Sequence, residues 1–337
     1  MRFLRRRNAA TRFHYHPWGH GGHVALAARA QQAERVRRLG VLMSNSEDDP
    51  LAQARVTAFR QALAELGWTE GRNLKIDWRW SGGDIARVRE YAAELVRLAP
   101  DIIVANGTPS VAALKQATTS IPIVFVAVND PVAQGFIASM AHPGSNITGF
   151  SFLEYSMVGK SLEMLKQIAP GIVRVAVMFN PDTYPYYNIH LPSFETVART
   201  LSLELTGAQV RNPGEIDDAV ATLGRRLGSA LLVTPDPFML VHRGAIIRAA
   251  AQYRVPATYS YRQHVQEGGL ISYGADTVDI FGRSASYIDR ILKGTPPADL
   301  PAQAPVKFET AINLRTAKAL GLDIPTNLLA LADEVIE

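Results

Sequence analysis

The sequence predicts an α/β protein of two similar lobes, each a parallel sheet with helices on both faces, joined by about three crossing strands. Three observations carry this expectation. From Arg37 onward, short apolar runs alternate with amphipathic segments, the pattern of parallel sheets covered on both sides. The pattern then repeats: "DIIVANGTP" (101–109) is echoed by "SALLVTPDP" (229–237), "IPIVFVAV" (121–128) by "VPATYSYR" (255–262), and "LGVLMSN" (39–45) by "VAVMFNP" (175–181). Finally, 337 residues are too many for one ordinary core and suit two domains of about 150 residues each.

Taken in order, the runs that read as strands are Leu39–Met43, Leu74–Trp80, Ile102–Ala105, Ile121–Val128, Ile147–Phe152, Val173–Phe179, Leu203–Val210, Ala230–Val233, Val255–Tyr259 and Leu270–Tyr273. Helical periodicity fills the gaps, as in Ala52–Leu66, where Ala52, Val56, Phe59, Leu63 and Leu66 share one face. "HPGSNITGFSF" (142–152) is turn-rich and then extended, as a crossing strand would be. After Tyr273 comes a helix with Val278, Phe281, Ala285, Ile288 and Leu292 inward, then an extended piece and another helix. The expected organisation is a leader over residues 1–34, one lobe from 35–148 plus 276–300, and a second from 149–275 plus 301–337.

Composition narrows the function. Apolar residues at 47 % and charged residues at 20 % are ordinary for a globular chain, and no apolar run reaches the roughly 18 residues that span a bilayer. Six arginines and no acid fall in the first 30 residues, so the formal charge of +4 belongs to the leader and the rest is slightly acidic. No nucleic-acid partner is expected. The absence of cysteine excludes disulfides, thiolate metal sites and cysteine nucleophiles. The leader has the charged start of an export signal ("MRFLRRRN") and small residues at Ala28 and Ala30, but "TRFHYHPWGHGGH" stands where an apolar centre belongs.

Ligands of open parallel sheets bind beyond the carboxyl ends of the strands. Four such ends carry a polar residue before proline: Thr108-Pro109, Asp130-Pro131, Asn180-Pro181 and Asp236-Pro237. Each suits helix initiation, and together they outline two walls of a cleft. Gly107, Thr108, Pro109 and Ser110 at a helix N-terminus present amides and hydroxyls to an anion, with Ser44, Asn45 and Ser46 as further donors. No Walker lysine or G-x-G-x-x-G follows a strand, so a carboxylate fits better than a phosphate. Asp130, Asp236 and Asp276 stand at strand ends where an acid would suit an ammonium group. Tyr184, Tyr186, Tyr187, Phe238, Tyr259, Tyr261 and Tyr273 crowd the second lobe's edge and suggest a ring-stacking pocket.

Catalytic constellations are poor: there is no G-x-S-x-G and no HExxH, and His142, His190, His242 and His264 are scattered. Neither enzymatic activity, a cofactor nor a metal is expected.

The segments "RVRRLGVLMSN", "FRQALAELGWTEGRNLKIDWRW", "DIIVANGTP", "IPIVFVAVNDPVAQGF", "PGSNITGFSF", "GLISYGAD", "SYIDRILKGTPPADLP" and "INLRTAKALGL", in this order, resemble the substrate-binding proteins of bacterial ABC importers of the type I periplasmic-binding-protein fold, in the group that includes tryptophan- and tyrosine-binding members. The resemblance implies a ligand enclosed between two lobes by hinge closure, delivery to an inner-membrane permease, and a periplasmic monomer. By position it makes Ser44, Thr108, Asn129, Asp130, Asp236 and Asp276 ligand contacts. The leader departs from the family pattern, which has an apolar signal segment there.

The favoured function is therefore an extracytoplasmic solute-binding component for an amino acid, aromatic or bulky and apolar, or a similar carboxylate. Two alternatives stay open at this point: a two-lobe enzyme, glycosyltransferase- or racemase-like, and a cytoplasmic ligand sensor. An acid–base pair across the cleft would favour the first, and a helix-turn-helix the second.

Overall fold

The computed structural model describes residues 36–152 and 155–337, so the leader expectation lies outside the described residues. The apolar runs form strands close to where their composition puts them. The first series is β1 (Arg37–Met43), α1 (Pro50–Glu65), β2 (Leu74–Trp80), α2 (Ile85–Arg97), β3 (Ile102–Asn106), α3 (Thr108–Ala117), β4 (Ile123–Val128) and β5 (Ile147–Ser151). The second is α4 (Tyr155–Ile168), β6 (Arg174–Phe179), α5 (Tyr187–Thr200), β7 (Glu204–Gln209), α6 (Pro213–Gly224), β8 (Ser229–Val233), α7 (Pro237–Val241), α8 (Arg243–Gln252), β9 (Ala257–Tyr259), α9 (Arg262–Gln266) and β10 (Ile271–Ala275). The closing elements are α10 (Thr277–Leu292), β11 (Phe308–Asn313), α11 (Leu314–Leu320), α12 (Thr326–Leu331) and β12 (Glu334–Ile336).

The repeat heard in the sequence is a repeat of topology. The first sheet has the order β2-β1-β3-β4-β5, and the second contains the same order as β7-β6-β8-β9-β10, extended by β11 and β12. All neighbours are parallel except β10 and β11, where Ile271 stands opposite Ile312 and Ala275 opposite Phe308. That antiparallel pair departs from the parallel sheet expected of each lobe. Its cause is the chain path: α10 belongs to the first lobe, so the chain re-enters the second from the edge where β10 ended.

Alternation along the buried strands sorts their side chains to two faces. In β1, Leu39, Val41 and Met43 join Phe59 of α1 and Phe281 of α10, whose rings meet edge to face at 6.5 Å. Leu42 faces the other way, with Val88, Leu95, Val111 and Leu114 of α2 and α3. The second sheet repeats this: Val175 and Val177 share a face with Leu162 and Phe194, while Ala176 and Met178 face Ile216, Val220 and Ile246. Full burial of one such side chain contributes about 1.5–3 kcal/mol, so truncating Phe59 or Phe281 would loosen the joint between the first sheet and α10.

The chain passes between the sheets three times: after β5, between β10 and α10, and between Gln303 and β11. The third passage is anchored by Ser151, whose amide donates to the Gln303 carbonyl at 2.8 Å, and by Gln303, whose amide donates to the Gly149 carbonyl at 2.8 Å.

Candidate functional site

In a 2-1-3-4-5 sheet, the helices after β1 and β3 leave toward opposite faces and open a crevice at the carboxyl ends of these strands. Ser44 follows β1 and Asn106 ends β3. The Ser44 hydroxyl donates to Asn106 Oδ1 at 2.7 Å, and Asn106 Nδ2 donates to the Val126 carbonyl at 3.3 Å, tying three strand ends together. Gly107 caps α3 at φ +79°, a left-handed conformation that disfavours any side chain, and no side chain caps the helix. The first-turn amides of Thr108 and Ser110 therefore remain open to a ligand; Pro109 between them has none to give.

The opposite wall comes from the second lobe. Asp236 is fully buried and caps α7. Its Oδ1 accepts from the Met239 amide at 2.9 Å and the Thr183 hydroxyl at 3.0 Å, and its Oδ2 lies 2.9 Å from the Thr234 hydroxyl. Burial pushes its carboxyl up to about 6, against the pull of these donors.

The walls touch. Asn129 Nδ2 reaches the Pro235 carbonyl at 2.9 Å, Arg243 Nη1 reaches Asp49 Oδ2 at 2.7 Å, and His190 Nε2 lies 3.5 Å from Asp130 Oδ2. At both ends of α7 the first lobe offers a glycine. A Cβ on Gly107 would lie 3.3 Å from Pro237 Cγ, and one on Gly83 would lie 3.2 Å from Val241 Cγ2. The cavity left between the walls is about 10 Å³, room for roughly one water. The cleft is closed.

That cavity is lined by Ser44, Gly107, Thr108, Asn129 and Tyr261, as the sequence leads one to expect, and also by Arg55 and Asn106. Asn45 is buried behind Arg55 and accepts its Nη1 at 3.0 Å. Asp130, at φ +36°, accepts the Ala133 amide at 3.0 Å and faces His190. Asp276 caps α10 through the amides of Val278 and Asp279 and pairs with Lys307 at 2.8 Å. The tyrosines part company. Tyr184 is buried against His190 through its hydroxyl, Tyr186 sits at the start of α5, and Tyr259 packs on His264 at 4.7 Å; none lines this cavity. Of the four residues that stand before a proline, only Asp236 caps a helix with its side chain; Asp130 and Asn180 cap turns.

Sequence reasoning missed Arg55 and Asn106. Arg55 is 1 % exposed, yet it stands on the apolar face of α1 between Ala52 and Phe59. A charge interrupting an apolar stripe is the signal that could have found it.

Several buried polar atoms in and behind these walls have no hydrogen-bond partner: Asn45 Nδ2, Ser110 Oγ, Asn129 Oδ1 and Gln134 Oε1. A buried polar atom left unpaired costs about 1–3 kcal/mol, so a set of them beside an open helix end is what a polar ligand would satisfy.

Known proteins match this arrangement. A curated tyrosine-binding protein of Clostridioides difficile is 26 % identical over 302 residues, covering 90 % of this chain and 86 % of its own. A conserved domain protein from Vibrio cholerae superposes with a TM-score of 0.83 at 28 % identity, covering 89 % of this chain and all of that one. An ABC domain from Streptococcus pneumoniae in complex with L-Trp gives 0.82 at 25 % identity, over 89 % of this chain and 99 % of that one. The ligand-free, open structure of a substrate-binding protein with adhesive properties from Clostridium difficile gives only 0.66, at the same identity and coverage. At equal sequence distance the chain lies nearer the liganded relative than the open one, in keeping with its closed cleft. The family model for ABC transporter substrate binding proteins matches residues 41–336, and the chain belongs to that family.

Proposed function

We propose that this protein is the extracytoplasmic solute-binding component of an ABC importer and takes an amino acid with an aromatic or bulky apolar side chain into the cleft between its lobes. The observation that carries this reading is the uncapped N-terminus of α3 facing a cavity whose walls hold unpaired buried polar atoms. The Thr108 hydroxyl and the open amides of α3 supply donors for a carboxylate, while Ser44 and Gly107 shape the wall, their own donors being held by Asn106 Oδ1 and the Val126 carbonyl. Asn129 Oδ1 is an acceptor for an ammonium group, with Asp130, Asp236 and Asp276 setting the negative potential around it. Tyr261 offers a ring inside the cavity, and Tyr184, Tyr186 and Tyr259 stand farther back as side-chain packing for a larger, opened site. The tyrosine-binding and L-Trp-bound relatives support this choice of ligand.

With a cavity this small, the ligand enters when the lobes part, and closure follows. The moving bodies are residues 37–151 with 276–303, and 155–275 with 304–337, a few residues later at each passage than the sequence suggests because β5 and Gln303 pair within the first sheet. The protein works in the periplasm as a monomer, binds without transforming its ligand, and delivers it to an inner-membrane permease. No helix among the described residues is long and apolar enough to cross a membrane.

Titration calorimetry with the common amino acids and a set of neutral sugars tests the reading. Tryptophan, tyrosine or a bulky apolar amino acid should bind best. Tight binding of a neutral sugar with no response to any amino acid would overturn it.

A further inference from the structure

Arg55 is the feature of the cleft that the function so far does not use. Its side chain is fully buried, with Nε donating to Thr277 Oγ1 at 3.0 Å and Nη1 to Asn45 Oδ1 at 3.0 Å. Its guanidinium carbon lies 5.9 Å from the Tyr261 ring centre and 5.6 Å from that of Phe281. Every one of these partners is neutral.

A guanidinium does not give up its proton in a protein, and a buried charge without a counter-ion is costly. The neighbouring carboxylates are already matched. Asp49 pairs with Arg243 at 2.7 Å and caps α1, while Asp276 pairs with Lys307 at 2.8 Å and caps α10. Among the described residues no carboxylate lies within 4.0 Å of Arg55.

The remaining nitrogen, Nη2, belongs to a side chain that lines the cavity beside Ser44, Gly107 and Thr108. Around this corner the first lobe gathers donors: the Thr108 hydroxyl, the open amides of α3, the unpaired Nδ2 of Asn45 behind it, and a fixed positive charge. Nε and Nη1 are held by Thr277 and Asn45, so the charge cannot swing out to water when the cleft closes.

We propose that Arg55 is the counter-ion of a ligand carboxylate, so that the cleft selects its ligand first by the anion and closes on it because the anion neutralises this charge. The proposal rests on reading the interlobe cleft as the amino-acid site, and it goes further by making the carboxylate obligatory and naming the residue that requires it. A neutral sugar or a bare amine leaves Arg55 unmatched, whatever else it satisfies.

The test compares each amino acid with its decarboxylated twin on the intact protein: L-tryptophan with tryptamine, and L-tyrosine with tyramine, by calorimetry. The wild type should prefer the acid by about 100-fold or more, the scale for leaving a buried charge unpaired. Arg55→Met should lose most affinity for the acid and shrink the preference to a few-fold, while Arg55→Lys should keep part of both. A thermal melt of each unliganded variant checks folding. Removing a buried unpaired charge should leave Arg55→Met as stable as the wild type or more so. If the wild type binds acid and amine alike, or if Arg55→Met keeps the full preference, the role of Arg55 is overturned while the amino-acid reading stands. Tight binding of a sugar with no response to either acid would instead overturn that reading, and this proposal with it. The wild-type comparison needs no variant to fold.

Discussion

Asn129, one residue beyond β4 in the first lobe, donates its Nδ2 to the carbonyl of Pro235 in the second at 2.9 Å. This bond exists only while the lobes are together. Asn129→Ala should therefore favour the open form, with a larger radius of gyration by solution scattering at saturating ligand. Ligand affinity should fall tenfold or more, to about a hundredfold, because the closing bond and the Oδ1 acceptor for the ammonium group are lost together, while the melting temperature of the unliganded protein barely moves. A loss of stability with unchanged affinity would make Asn129 a structural residue only.

The second cross-cleft tie is ionic. Arg243 bridges Asp49 in the first lobe and Glu267 in its own, at 2.7 and 2.8 Å. The Asp49 pair is largely shielded from water, so it outweighs an ordinary surface pair but still feels salt. Arg243→Met should weaken ligand binding about three- to tenfold, and affinity should become less dependent on ionic strength than in the wild type. Parallel salt titrations of the two proteins are the measurement; identical slopes would exclude the pair from closure.

Asp236 links pH to stability. Its folded-state carboxyl, pushed up to about 6 by burial, stands above its unfolded value near 3.8. Between these values the folded protein holds a proton that the unfolded chain has released, so stability falls as pH rises from about 4 to 6, and levels off above. Asp236→Asn should flatten that stretch of the melting curve against pH. At pH 7 it should cost no more than about 1 kcal/mol, because asparagine still caps α7 and its amide can donate to the Thr234 hydroxyl. Asp236→Ala should cost about 2 kcal/mol or more by leaving those donors unpaired. An unchanged pH profile for the asparagine variant would assign the titration elsewhere.

Gly107→Ala probes the closed geometry from the other wall. At φ +79° and ψ 160°, a region essentially confined to glycine, an added side chain costs the first lobe about 1–3 kcal/mol, visible as a lower melting temperature. The larger effect should be on binding, because the new methyl meets Pro237 Cγ at 3.3 Å when the cleft shuts. A drop in affinity well beyond the stability loss is expected. Calorimetry showing wild-type affinity would mean that the lobes close less far on their ligand than they do here.

What could be read in advance follows from how much each feature depends on local pattern. Runs such as "DIIVAN" and "SALLV" announce buried strands by composition alone, and their repetition announced the doubled topology. β12 is three residues, Glu334 to Ile336, at a sheet edge, too short to carry a period. The reversal of β11 depends on where the chain comes from, which no local pattern encodes. In the cleft, Ser44, Thr108 and Asn129 were legible because strand ends and helix starts are. Tyr259 and Tyr261 look equivalent in "ATYSY", yet β9 ends at Tyr259, which packs among core residues, while Tyr261 beyond it meets the cavity. Arg55 was hidden by the same logic that found its helix, since a lone charge among apolar positions is ordinarily taken for the solvated side.

The return of α10 to the first lobe delays that lobe's completion until the chain has passed through the strands of the second as far as β10. Strand β1 begins at Arg37, whose Nη2 donates to the carbonyl of Leu292, the last residue of α10, at 3.1 Å. The second sheet, in turn, closes its edge with β11 and β12 from the final thirty or so residues. Contacts so distant in sequence form late, since long loops must close before they are rewarded. In a nascent chain of this design neither lobe can reach its final packing ahead of the other, so the two mature together rather than one after the other.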